Sequence, residues 1–113
     1  MISGLKMQSV SEQQMSFYRV AGWAVDASGD RLIKGDQTVK LEPKIMEVLL
    51  CLIERRGQIV SKDELMQCVW PEVTITDHPI NRSIYRLRKV FGDNSRAPHV
   101  IETISKKGYR LLD

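Results

Sequence analysis

Ile80, Ile84, Leu87 and Phe91 recur at spacings of four, three and four, and at 100° per residue the last three fall within about 40° of Ile80. Such a stripe folds as an amphipathic helix with one side committed to a core. The other side is equally restricted. Arg82, Tyr85, Arg86 and Lys89 fall between about 140° and 240° from Ile80, with His78 on the same face one turn earlier and no carboxylate among them. A solvated helix face ordinarily mixes signs, because opposite charges three or four residues apart stabilise it and like charges do not. Placing Arg82 and Arg86 four apart costs a few tenths of a kcal/mol in an isolated helix, roughly, and an anionic partner would offset that cost.

Charge placement along the chain points the same way. The net charge is +3. Residues 1–75 hold 9 Lys/Arg against 10 Asp/Glu, whereas residues 76–113 hold 8 against 4, so the C-terminal third carries the excess. A basic segment on a neutral body suits a polyanion. With 113 residues, 42% hydrophobic and 27% charged, the chain is sized for one soluble globular domain. Two cysteines, Cys51 and Cys68, without CxxC spacing exclude a disulfide scaffold or a zinc finger and fit a reducing compartment. The longest apolar run, Val48–Ile53, is far too short to span a bilayer.

Residues 1–16 are polar and aperiodic, a flexible leader, and residues 17–113 read as one domain. Phe17 to Leu41 carries short alternations broken by Ala21-Gly22, Ala27–Asp30 and Gly35-Asp36, which predicts three or four strands of a small antiparallel sheet. A nearly all-apolar helix follows from Pro43 through Arg56, built on Ile45, Met46, Val48, Leu49, Leu52 and Ile53. Ile59-Val60 crosses to a second helix opened by the S-x-x-E capping box of Ser61 and Glu64, apolar at Leu65 and Val69 and ended by Pro71. Thr76 or Asp77 caps the third helix, where Pro79 is tolerated in the first turn and Gly92-Asp93-Asn94 closes the far end. Past Pro98 comes a hairpin, Val100–Ile104 and Tyr109–Leu112, whose turn carries Lys106 and Lys107, with Arg110 just beyond.

Two helices followed by a basic hairpin, the second helix basic on its exposed face, describe an α+β winged helix-turn-helix with an N-terminal small antiparallel sheet, three helices and a C-terminal β-hairpin wing. An α-helix fits the major groove of duplex DNA, where Arg reads guanine in bidentate geometry and phosphates take the remaining cations. Arg88, near the edge of the stripe, is expected to meet a phosphate or an acidic neighbour.

The sequence also resembles a known family. Leu41-Glu42-Pro43, Val60 to Leu65, Val69-Trp70, Ser83 to Lys89 and Thr103 to Leu111 look like the OmpR/PhoB-type effector domain, over roughly Phe17 to Leu112. The T-I-S-K-K-G-Y-R run and the lack of a receiver domain ahead of Phe17 are most similar to the CadC/ToxR branch. The resemblance implies a sequence-specific double-stranded DNA-binding transcriptional regulator, recognition helix 78–91 in the major groove and wing 104–110 on the backbone and minor groove. By position it implies DNA contacts from His78, Arg82, Ser83, Tyr85, Arg86 and Arg88, and from Ser105, Lys106 and Lys107 in the wing; on the charge of the helix face and hairpin, Lys89 is expected as a phosphate contact and Arg110 as a further DNA contact. It further implies an RNA polymerase contact through the 71–77 loop, self-association on tandem sites, and a cytoplasmic fragment of an inner-membrane-anchored regulator. Pro79 and Tyr85 depart from the family pattern, Pro79 by removing a backbone donor near the helix start and Tyr85 by standing where some members carry a basic residue.

Other chemistry finds little support. His78 and His99 share no ligand spacing with any Cys, Asp or Glu, no glycine-rich phosphate loop occurs, and no nucleophile–base pair is in evidence, so neither an enzyme, a cofactor, a metal site nor a small-molecule substrate is expected. Trp23 and Trp70 read as core residues, Cys51 and Cys68 as inert packing in apolar surroundings, and Asp26, Asp30 and Asp36 as turn formers. The rival readings are a winged-helix protein–protein interaction module docking an acidic partner, and RNA binding, which the scarcity of exposed aromatics disfavours.

Overall fold

The computed structural model describes residues 17–72 and 78–112. The leader at 1–16 and the Thr76 or Asp77 cap lie outside those residues. The chain divides between Leu41 and Glu42 into two compact units, inside the span that the sequence presents as one domain.

The first unit is an antiparallel meander of β1 (Phe17–Val20), β2 (Trp23–Asp26), β3 (Arg31–Lys34) and β4 (Gln37–Lys40), paired in that order. The β1–β2 connection is a two-residue turn in which Ala21 and Gly22 both take positive φ, +52° and +83°, the geometry whose twist matches a hairpin. Tyr18 pairs with Val25, Val25 with Leu32 and Leu32 with Val39, so one apolar row crosses all four strands. Val20, Trp23, Val25 and Leu32 are buried. Asp26 is a turn former, as expected: its carboxylate accepts from Ser28 Oγ and Gly29 N, and it binds Arg31 at 2.6 Å. The Arg31 guanidinium holds this buried carboxyl below its ordinary range.

The second unit holds α1 (Pro43–Glu54), β5 (Ile59–Ser61), α2 (Lys62–Val69), α3 (His78–Phe91), β6 (Ile101–Ile104) and β7 (Gly108–Leu111). Helix α1 packs on α2 and α3, burying Ile45, Met46, Val48, Leu49, Leu52 and Ile53 as expected. It stops at Glu54, two residues earlier than the sequence suggests. Arg55 forms its C-cap and sends its guanidinium to Glu64, 3.0 Å away, and to Gln58. The Ser61–Glu64 capping box is complete in both directions. At the other end of α2, Lys44 Nζ donates to the Val69 carbonyl at 2.8 Å, satisfying an acceptor that the helix leaves open.

The segment 59–61, expected as a crossing, is a strand. β5 pairs with β7, and β7 with β6, giving a three-stranded antiparallel sheet of order β5-β7-β6. Trp70 is only half-buried, and Cys68 is exposed rather than packed in apolar surroundings, because it lies away from the Leu65–Val69 face of α2. Cys51 is buried; burial and the neighbouring Cys68 push its thiol up to about 12, so it stays protonated and inert.

Candidate nucleic-acid interface

Helix α3 is placed by its apolar stripe. Ile80, Ile84 and Leu87 are essentially buried, at 0%, 2% and 0% exposure, and Phe91 is half-buried. The helix ends on Gly92 at φ +68°, with Asp93 N donating to the Arg88 carbonyl at 2.8 Å and Gly92 N to that of Lys89. This closing motif needs a residue tolerant of the left-handed region. Two contacts then brace the wing against α3. Tyr109, nearly buried, donates its hydroxyl to Asn81 Oδ1 at 3.2 Å. Arg88 donates to the Ile101 carbonyl and to Thr103 Oγ1, both at 2.8 Å. Asp93 fixes the approach to β6, accepting from His99 N at 2.6 Å and Ile101 N at 2.8 Å. Burial pushes its carboxyl up, but the surrounding backbone N–H groups prevail and hold it below the ordinary aspartate value of 3.8.

These braces leave a basic face exposed. Tyr85 is 64% exposed, and Lys89 Nζ stands 5.7 Å from the centre of its ring, a cation–π pair one turn apart. Arg86 is exposed beside them with no ion pair to another described residue. At the wing, Ser105, Lys106 and Lys107 are exposed in a tight turn that Lys107 N closes on the Ile104 carbonyl at 2.9 Å, with Lys106 at φ +65°. A hollow of about 310 Å³ beside the wing tip is lined by Lys106 and Lys107 and by Ser61, Lys62 and Asp63 at the start of α2.

Four of the expected contact residues need correction or qualification. Ser83 is buried and its hydroxyl donates to the Pro79 carbonyl at 2.7 Å, so it faces inward; at about 60° from Ile80 its place beside the apolar stripe was readable from the helical period. Arg88 meets no carboxylate among the described residues, because the wing strand takes its guanidinium. Arg110 is paired across the sheet with Glu102, its register partner, at 2.7 Å. Arg82 is exposed on the expected face, but Glu42 binds it at 2.8 Å. The side chain of His78 lies outside what the structure describes; its backbone opens α3. Sequence reasoning missed the roles of Glu42 and Asn81, whose partners lie on distant elements, and of Asp93, which binds the backbone leading into the next strand.

Known proteins share this fold and match this sequence. Residues 36–111 match the family described as "Transcriptional regulatory protein, C terminal". Transcriptional activator CadC of Escherichia coli (strain K12) is 33% identical over 100 residues, covering 88% of this chain and 20% of CadC. Transcriptional regulator HilA of Salmonella typhimurium is 34% identical over 80 residues, covering 71% of this chain and 14% of HilA. The chain thus spans a fifth or less of the length of these relatives. Among solved structures, the DNA-binding domain of E. coli CadC superposes with a TM-score of 0.72 at 29% identity, covering 83% of this chain and 89% of that one. The Klebsiella pneumoniae RstA DNA-binding domain in complex with the RstA box gives 0.72 at 28% identity, covering 85% and 96%.

Proposed function

The chain belongs to the family of C-terminal domains of transcriptional regulatory proteins, a DNA-binding regulatory domain of OmpR/PhoB type and not an enzyme, and we propose that it reads duplex DNA with α3 in the major groove and the wing against the backbone and adjacent minor groove. The observation that carries this reading is the exposed face of α3, where Arg82, Tyr85, Arg86 and Lys89 stand together while the wing presents Lys106 and Lys107. At 14 residues α3 is about 21 Å long, and a helix of ordinary diameter fits the major groove. Arg86, exposed and with no ion pair to another described residue, is the base-reading residue. Lys89, Ser105, Lys106 and Lys107 contact phosphates, and His78 contributes from the helix start.

The test separates reading from attraction. An operator is selected from a random duplex pool, and binding is measured to it and to a scrambled duplex across a salt series. Arg86→Ala should cost about 1–3 kcal/mol on the operator and little on scrambled DNA, whereas Lys107→Ala should weaken both alike. Equal losses on the two duplexes for Arg86→Ala would remove it as a reader. Affinity for plain duplex that ignores salt would favour an acidic protein partner instead.

The finer readings are extensions of the same proposal. RNA polymerase contact through the 71–77 loop concerns a segment of which 73–77 lie outside the described residues. Self-association on tandem sites and a cytoplasmic place, with a membrane anchor elsewhere in a longer protein, follow the CadC likeness. Among the described residues no helix is long and apolar enough to cross a membrane.

A further inference from the structure

Glu42 is the N-cap of α1, yet its carboxylate makes no capping bond. It reaches α3 instead, where Oε1 accepts from Arg82 Nη2 at 2.8 Å and Nη1 at 3.4 Å, and Oε2 accepts from Nη2 at 3.1 Å. Both side chains stay exposed, Arg82 at 60% and Glu42 at 62%, so water screens the pair and it adds little to a fold whose α1 and α3 already bury Ile45, Leu49, Ile80 and Ile84. What the pair does change is the character of the basic face. It sets one carboxylate against Arg82, on the helix face that also carries Arg86 and Lys89, and it fixes the direction of the Arg82 guanidinium while leaving that group further N–H donors.

Resting on the DNA reading above, we propose that Glu42 is a selectivity residue that restrains Arg82 from acting as an indiscriminate phosphate anchor. On unmatched DNA, Arg82 must leave Glu42 to reach a phosphate, so general attraction is reduced. On a matched site the held fork presents its remaining donors to a base edge, so discrimination is kept.

The experiment uses Glu42→Gln, which removes the charge with nearly the same shape, Arg82→Gln, and the double variant. Each is titrated with a mixed-sequence duplex over a salt series and with the selected operator. Glu42→Gln should tighten mixed-sequence binding roughly three- to tenfold, steepen the slope of log K against log salt by about 0.9, and lower the operator-to-mixed ratio. In the Arg82→Gln background most of that gain should vanish. Unchanged or weaker mixed-sequence binding by Glu42→Gln overturns the inference. So does a gain that survives in full without Arg82, because the carboxylate would then be repelling DNA directly. Wild-type chain that binds no duplex overturns the DNA reading itself, an outcome distinct from a wild type that binds and is indifferent to Glu42.

Discussion

Gly108 stands at φ +155°, where β7 passes so close to β5 that a Cβ would press into the Val60 carbonyl oxygen and lie 2.8 Å from Ser61 Cα. Neither obstacle is a flexible side chain; both are backbone. Gly108→Ala should therefore cost about 2–4 kcal/mol through overpacking and dihedral strain, read as a lower urea midpoint. An unchanged midpoint would mean that β5 and β7 can part without penalty. Asp93 makes a different residue-scale prediction. Its folded-state value lies below the ordinary 3.8, so its contribution to stability is complete above that value and is lost as pH falls through the depressed one. Asp93→Asn should be less stable than wild type at about pH 7, and the gap should narrow at about pH 3. A gap that is constant across this range would show that the His99 and Ile101 N–H groups do not favour the charged form.

At the scale of elements, the start of α2 and the close of α3 are set by a handful of local hydrogen bonds. The Ser61 hydroxyl accepts from Glu64 N at 2.9 Å, and Glu64 Oε1 accepts from Ser61 N at 2.8 Å. Ser61→Ala should cost about 1 kcal/mol in denaturation while leaving the α3 face intact, and no loss would show that Glu64 and Arg55 alone secure the helix start. The box was readable from S-x-x-E because both its bonds lie within three residues. The Ile80–Phe91 stripe and the Gly92 stop were readable for the same reason. β5 was not: three residues carry too little periodicity to declare a strand, and its partner β7 lies at the far end of the chain. The early stop of α1 was equally hidden, since Gly57 donates its N–H to the Leu111 carbonyl of β7 instead of back to the helix.

For the molecule as a whole, the distribution of charge matters more than its sum. The net charge of +3 is modest, but α3 and the wing bring Arg86, Lys89, Lys106 and Lys107 to the surface of the second unit while Arg88 and Arg110 are spent holding that unit together. An exposed ion pair is worth about 0–1 kcal/mol, so the Glu42–Arg82 contact can yield to DNA where a buried one could not. The sequence by itself determined the order of the elements other than β5, the inward and outward sides of α3 and the basic wing, because helical period, caps and turns are written within a few residues, and its motifs carried the resemblance to the family. Only the tertiary structure decided which cations remain available. Glu42 meets Arg82 from 40 residues away, Ile101 and Thr103 meet Arg88 from another element, and Glu102 faces Arg110 across a sheet register. Pairing of charges is fixed by the approach of distant elements, and no local pattern encodes that approach.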